Sequence, residues 1–303
     1  MSFFELALLL VGCLGVNGGG DACNITQTAQ ASEGRHAQVA GIVSGPEMKD
    51  GVVDVELTAK SVIVWDVDSG KIIYEKNARD KRPIASLSKL LSALVVRQGL
   101  PMDTEIEVTE NVRQAQAKGV DVQLPVGEHV KARDLLTAGM VASANDAMTA
   151  LAEGYSGSED NFAHDATLYA KSIGVVNTKL ANATGLSGGE QYSTAEDVMK
   201  LLSLAYDDGE LREMLSSADG SFTTREGSVR KFRTTNELLK SYLPILAAKT
   251  GYTYEAGENL AIITQDESGH KIGAVVLGSE ERFQDMKVLI EWINRNFVWK
   301  ESV

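Results

Sequence analysis

Residues 82–96 read RPIASLSKLLSALVV, and the fold turns on whether this stretch lies at the surface or at the centre of the protein. Pro83 opens a helix, and Leu87, Leu90, Leu91, Leu94 and Val95 follow at helical spacing on nearly every side of it. A surface helix keeps a polar stripe for water, whereas one that is apolar all round is buried. The segment is therefore predicted to be a central helix around which the rest must pack. Two of its few polar residues, Ser86 and Lys89, are three positions apart, which puts a hydroxyl and an amine on one face.

Working outward, SVIVWDV (61–67) and KIIYEKN (71–77) flank the turn Asp68-Ser69-Gly70 and read as a hairpin. Residues 132–155 and 194–217 carry helical periodicity, so the middle of the chain reads as mostly helical. After Leu243 the character changes: ENLAIITQD (258–266) and KIGAVVLG (271–278) are predicted antiparallel strands joined by the tight turn ESGH. A last helix presents Phe283, Met286, Leu289, Ile290 and Ile293 on one face. Strands at both ends with helices between them imply an α+β fold whose sheet is assembled from distant segments.

The N-terminus differs in kind. Residues 3–16, FFELALLLVGCLGV, are too short to span a bilayer as a helix but suit the core of a signal peptide. Leu10-Val11-Gly12-Cys13 also fits a lipoprotein signal, so residues 1–16 are expected to be either an export signal or a lipoprotein signal. Residues 17–57 read as a flexible tether and 58–300 as the folded domain. Cys13 and Cys23 are the only cysteines, so the expected domain is free of thiols, as suits an oxidising compartment. The chain is expected to be exported, to the periplasm or the outer face of the cell membrane, with any membrane attachment N-terminal.

With a formal charge of -13, the chain lacks the clustered cations that phosphate backbones require, so no nucleic-acid partner is expected. Its four histidines, His36, His129, His164 and His270, are scattered without metal-ligand spacing, so neither a metal, a cofactor nor a histidine-based triad is expected.

An S-x-x-K spacing arises by chance roughly once per 250 residues at average composition. This chain has three: Ser86/Lys89, Ser228/Lys231 and Ser268/Lys271. The last lies in a polar turn and the second in a charged stretch, where a lysine stays solvated and protonated. Only Ser86/Lys89 opens a buried helix, where burial would depress the lysine pKa and helix N-H groups favour a developing oxyanion. Taken alone, the same pair could be a helix cap and a snorkelling lysine. Two further motifs decide: Ser143-Ala144-Asn145 follows an apolar helix, and Lys249-Thr250-Gly251 precedes the last strand pair. A K-T-G triplet occurs by chance about once in several thousand positions. In this order the three motifs are the signature of penicillin-recognising serine enzymes.

On these motifs the chain resembles the low-molecular-mass D-alanyl-D-alanine carboxypeptidase and endopeptidase family from about Ser61 to Phe297. The matching segments are residues 64–89, 126–147, 172–198, 234–239 and 247–261. The resemblance is closest to the short branch that includes peptidoglycan endopeptidases. It implies a β-lactamase/transpeptidase-like five-stranded antiparallel sheet flanked by helices, with a mostly helical subdomain. It implies that Ser86 is the acylated nucleophile, Lys89 its base, and Ser143 a proton donor to the leaving amine. Asn145 would hold the substrate amide, and Lys249 and Thr250, followed by Gly251, would bind a carboxylate. Backbone N-H groups of Ser86 and Tyr252 would form the oxyanion hole. The implied partners are peptidoglycan stem peptides and β-lactam inhibitors. Ala144 stands where the family commonly has glycine. The β-rich C-terminal domain and amphipathic anchor helix of many relatives have no counterpart before Val303. A class A-like β-lactamase is disfavoured, since no E-x-x-L-N segment lies between Asn145 and Lys249. An inactive wall-binding module is disfavoured by the intact nucleophile and base.

Overall fold

The computed structural model describes residues 45–116 and 119–299. The expected signal at 1–16, Cys13 and Cys23 lie outside them.

The chain runs through β1 (Glu47–Met48), β2 (Ser61–Asp66), β3 (Ile72–Lys76) and α1 (Lys89–Gly99). A mainly helical segment follows: β4 (Glu105–Glu107), α2 (Glu110–Gln116), β5 (His129–Lys131), α3 (Ala132–Val141), α4 (Asn145–Ser156), α5 (Glu159–Ser172), α6 (Ala195–Asp207) and α7 (Gly209–Ser216). After the hairpin β6 (Asp219–Thr223) and β7 (Val229–Arg233) come β8 (Ile245–Thr253), β9 (Gly257–Gln265), β10 (Lys271–Ser279), α8 (Arg282–Asn296) and β11 (Phe297–Val298).

The central sheet has five antiparallel strands in the order β3-β2-β10-β9-β8. The N-terminal hairpin thus pairs with the last strand of the C-terminal meander, Val64 opposite Ala274 and Val62 opposite Val276. Because side chains alternate across a pleated strand, the sheet feeds two cores. Val62, Val64, Leu260, Ile262, Ala274 and Val276 pack with Met286, Leu289, Ile290 and Ile293 of α8. Ile63, Ala261, Ile263, Val275 and Leu277 face the larger core of α1, α3, α4 and α6. This is the predicted α+β arrangement. Helix α1 is buried at every position from Lys89 to Val96, as an all-apolar helix requires.

Two expectations need revision. Both stretches read as helical are each two helices: 194–217 breaks at Asp208, between α6 and α7, and 132–155 breaks at Ala142–Ala144, where Ser143 adopts φ 61°. That residue lies between the end of one helix and the start of the next. At the N-terminal side, the segment expected as tether up to residue 57 is packed from residue 45 onward. Glu47 and Met48 pair with Val298 and Phe297, the Trp292 indole Nε1-H donates to the Val53 carbonyl, and Val55 and Leu57 cover the α8 core. Glycine and polar residues in this stretch masked those few anchoring contacts.

Candidate active site

Ser86 lies in a 3-10 turn, Ala85–Ser88, that runs directly into α1. Ala85 is held at φ 48°, a conformation that usually costs of order 1–3 kcal/mol in a non-glycine residue and persists only where its surroundings impose it. They do so here from two sides. A Cβ on Gly185 would fall 2.0 Å from the Ala85 carbonyl oxygen, and one on Gly251 would fall 2.8 Å from that of Ile84 and 3.1 Å from the Ser86 nitrogen. The glycine of the K-T-G triplet therefore lets strand β8 lie backbone to backbone against the nucleophile turn.

Lys89 is fully buried. Its Nζ lies 2.9 Å from Ser86 Oγ, 2.8 Å from Asn145 Oδ1 and 2.6 Å from the Thr184 carbonyl oxygen. Burial drives its pKa well below the usual lysine value and the nearby Lys249 ammonium lowers it further, against partial opposition from Glu159 and Asp146. A neutral amine has two N-H bonds and one lone pair. Asn145 Oδ1 and the Thr184 carbonyl can only accept, so they consume both N-H bonds and leave the lone pair for the Ser86 hydroxyl proton.

Across the cleft, the buried Lys249 on β8 donates from Nζ to Ser143 Oγ at 2.9 Å and to its neighbour's carbonyl, Thr250 O, at 3.3 Å. Burial, with a contribution from the Arg282 guanidinium, brings its pKa down to about 7. Arg282 opens α8 and donates from Nη1 to the Gly251 carbonyl at 3.0 Å. The Thr250 hydroxyl is hydrogen-bonded to that of Thr235. Tyr252, the next residue along the strand after Gly251, is exposed at the cleft end of β8.

The helix break at Ser143 is held by its successors. Asn145 N donates to the Val120 carbonyl at 2.7 Å, and the buried Asp146 carboxylate accepts from Val122, Leu124 and Ala147 N-H groups. Desolvation raises the Asp146 pKa in spite of those three donors. Asp146 thus clamps the 120–124 segment onto the start of α4, beside Asn145.

The structure therefore brings residues from three distant segments together as two hydrogen-bonded groups, Ser86-Lys89-Asn145 and Ser143-Lys249-Thr250, which meet where Gly251 lies against the Ser86 turn. It leaves the other two S-x-x-K pairs apart. Ser228 Oγ donates to Glu128, Ser268 N-H caps Asp266, and Lys271 Nζ pairs with Asp68. Sequence reasoning missed three contributors. The Thr184 carbonyl carries no side-chain signature; Thr235 and Arg282 become visible only when β8 is laid beside them. The turn N-A-T-G-L (182–186) is a local signal for the first, since Asn182 Oδ1 accepts from the Thr184 and Gly185 N-H groups and shapes it.

A serine in the turn that opens a buried helix, within hydrogen-bond reach of a buried lysine and with a second buried lysine on an edge strand, is the arrangement of the lysine-dependent class of active-site serine enzymes. The family model described as D-alanyl-D-alanine carboxypeptidase matches residues 48–281, and the chain belongs to this family of serine peptidases. It is 30% identical to a D-alanyl-D-alanine endopeptidase of Pseudomonas aeruginosa, over 83% of each chain. It is 32% identical to the D-alanyl-D-alanine endopeptidase of Escherichia coli, over 78% of each. A D-alanyl-D-alanine carboxypeptidase of Bacillus subtilis is 34% identical over 69% of this chain, which spans only 55% of that relative's length. Among solved structures, the Streptomyces K15 DD-transpeptidase superposes with a TM-score of 0.74 at 25% identity, covering 80% of this chain and 98% of that one. A D-alanyl-D-alanine carboxypeptidase from Mycobacterium tuberculosis shares the fold, with a TM-score of 0.76 at 23% identity over 84% and 99% of the two chains.

Proposed function

We propose that this protein hydrolyses D-Ala-D-Ala-type bonds in peptidoglycan stem peptides through an acyl-enzyme on Ser86, and that penicillin acylates the same oxygen. The observation that carries the reading is the position of the buried Lys89 Nζ, 2.8 and 2.6 Å from two pure acceptors, Asn145 Oδ1 and the Thr184 carbonyl, and 2.9 Å from Ser86 Oγ, so that the neutral amine spends its two N-H bonds on the acceptors and turns its lone pair to the serine. Ser86 Oγ adds to the carbonyl carbon as its proton passes to Lys89 Nζ. Backbone N-H groups of Ser86 and Tyr252 stabilise the oxyanion. Ser143, bonded to Lys249, relays the proton taken up by Lys89 to the departing amine as the C-N bond breaks, which leaves Lys89 neutral again. Water then cleaves the ester and restores the serine. Lys249 and Thr250 hold the carboxylate beyond the scissile bond, and Asn145 the substrate amide.

The experiment is labelling with benzylpenicillin followed by peptide mapping. The adduct is expected on Ser86, and Ser86→Ala should abolish it; an adduct on Ser228 or Ser268, or labelling of the variant, overturns the assignment.

Carboxypeptidase and endopeptidase action differ only in what is attached to the leaving amine, because a direct cross-link also places a free carboxylate beyond the scissile bond. We favour cross-link cleavage with some carboxypeptidase activity. Two relatives named endopeptidases that align along most of their own length support this. Digestion of purified muropeptides decides it: intact cross-linked dimers beside trimmed pentapeptides would leave carboxypeptidase action alone. The substrate lies outside the cytoplasm, so this reading requires export, which the apolar run at 3–16 supports whether it ends in a cleaved signal or a lipidated Cys13. Cytoplasmic recovery of the full chain on cell fractionation would refute export.

A further inference from the structure

The Thr250 hydroxyl has a single proton, and in the proposed function that proton goes to the substrate carboxylate. A carboxylate only accepts hydrogen bonds. In the complex, therefore, Thr250 must donate to the anion, and its bond to the Thr235 hydroxyl can run in one direction only: Thr235 donates and Thr250 accepts. Two hydroxyls in series polarise one another, so the outer proton becomes a better donor to an anion in a buried setting.

The local structure around Thr235 points the same way. It follows β7 in a turn whose other polar side chains are committed to the backbone. Thr234 Oγ1 accepts the Asn236 N-H at 3.1 Å, and Asn236 Oδ1 accepts the Leu238 N-H at 3.0 Å to cap the next 3-10 turn. The Thr234 N-H is held by the Ala218 carbonyl at 2.8 Å. With the backbone pinned on both sides, the Thr235 side chain is the one directed at β8, where its hydroxyl meets Thr250. Thr250 itself is buried and pairs with Leu260 across the sheet, so neither partner can drift from the other.

We propose that Thr235 is a positioning residue for carboxylate recognition: it sets the Thr250 hydroxyl as a donor and thereby contributes to the preference for substrates that end in a free carboxylate. This rests on the function proposed above and concerns the step that selects the anion. The test compares second-order acylation by benzylpenicillin with acylation by its methyl ester, which lacks the anion, in a double-variant cycle with mass spectrometry as the readout. Thr235→Val keeps the shape and removes the hydroxyl. It should slow benzylpenicillin by about tenfold, the scale of one lost hydrogen bond, and the ester by less than twofold. Thr235→Ser should restore the wild-type ratio. Thr235→Val added to Thr250→Val should cost nothing more. Equal slowing of both compounds, additive single effects, or failure of Thr235→Ser to restore discrimination would overturn the proposal. If Thr235→Val unfolds, the serine variant and Thr235→Ala carry the same comparison. Normal labelling of Ser86 alongside a negative cycle would defeat this inference alone, whereas absent labelling of Ser86 would defeat the function on which it rests.

Discussion

Lys89 and Lys249 face one another across the same cleft and are both buried, yet they have different partners, which suit the opposite tasks proposed for them. Lys89 is met by two pure acceptors and a hydroxyl, with its pKa driven far down. Lys249 meets a hydroxyl and a carbonyl, sits near Arg282, and has its pKa brought to about 7, so an arriving carboxylate can tip it to the cation. Burial alone makes a lysine a poor cation; the partners decide whether it becomes a base or an anion anchor.

The sharpest way to break this comparison is to substitute both with arginine, which keeps positive charge but cannot deprotonate. Lys89→Arg should lower penicillin acylation by about a thousandfold or more, the range of a missing general base. Lys249→Arg should cost roughly ten- to a hundredfold, since an anion can still be paired but with altered geometry. Stopped-flow acylation measures both, and a reversed ranking ends the division of roles.

Gly251 ties the two halves together, since β8 carries Lys249 and lies against the turn that carries Ser86. A Cβ there meets backbone at 2.8–3.1 Å, so Gly251→Ala should push the strand away from the nucleophile. Acylation should fall by about a hundredfold, in line with the cost of an ångström-scale misplacement. Wild-type rates in that variant would mean the contact is not part of the site.

The pH dependence separates the lysines next. In the free enzyme Lys249 loses its proton around its pKa of about 7, so kcat/KM for a carboxylate substrate should decline above that region. A bound carboxylate favours the ammonium, so the corresponding limb of kcat should lie at higher pH. Coincident limbs would remove Lys249 from carboxylate binding.

The smallest effect is on stability. The folded pKa of Lys249 lies below its ordinary 10.5, so between about 7 and 10.5 the unfolded chain binds more protons and wild-type stability rises with pH. Lys249→Met removes that dependence. It should melt several degrees higher than wild type near pH 6, with the gain shrinking as pH approaches 10.5, while activity is lost. Calorimetry across that range checks the sign.

The central helix, the N-terminal hairpin, the last two strands and the three motifs were legible from residues 61–95, 143–145, 249–251 and 258–278, because helical period, β-rich runs and turn residues are local properties. Ser86/Lys89 could be separated from its two chance copies by burial inferred from the neighbouring leucines. The family resemblance implied five antiparallel strands, but their order β3-β2-β10-β9-β8 came only from the structure, since pairing residues 61–66 with 271–279 is a long-range event. The docking of residues 45–57 was invisible because it rests on a two-residue pairing, a few hydrogen bonds to backbone carbonyls and two isolated apolar side chains, Val55 and Leu57, none of which makes a periodic pattern.

Within the site, side-chain identities marked Ser86, both lysines, Ser143 and Asn145. Tertiary structure alone supplied the Thr184 carbonyl that consumes one Lys89 N-H, the positive φ at Ala85 and Ser143, and the Thr235 and Arg282 contacts to β8. A residue's chemistry is written in its side chain, but a carbonyl's direction, a backbone twist and the protonation of a buried amine are set by whatever the rest of the chain packs against them.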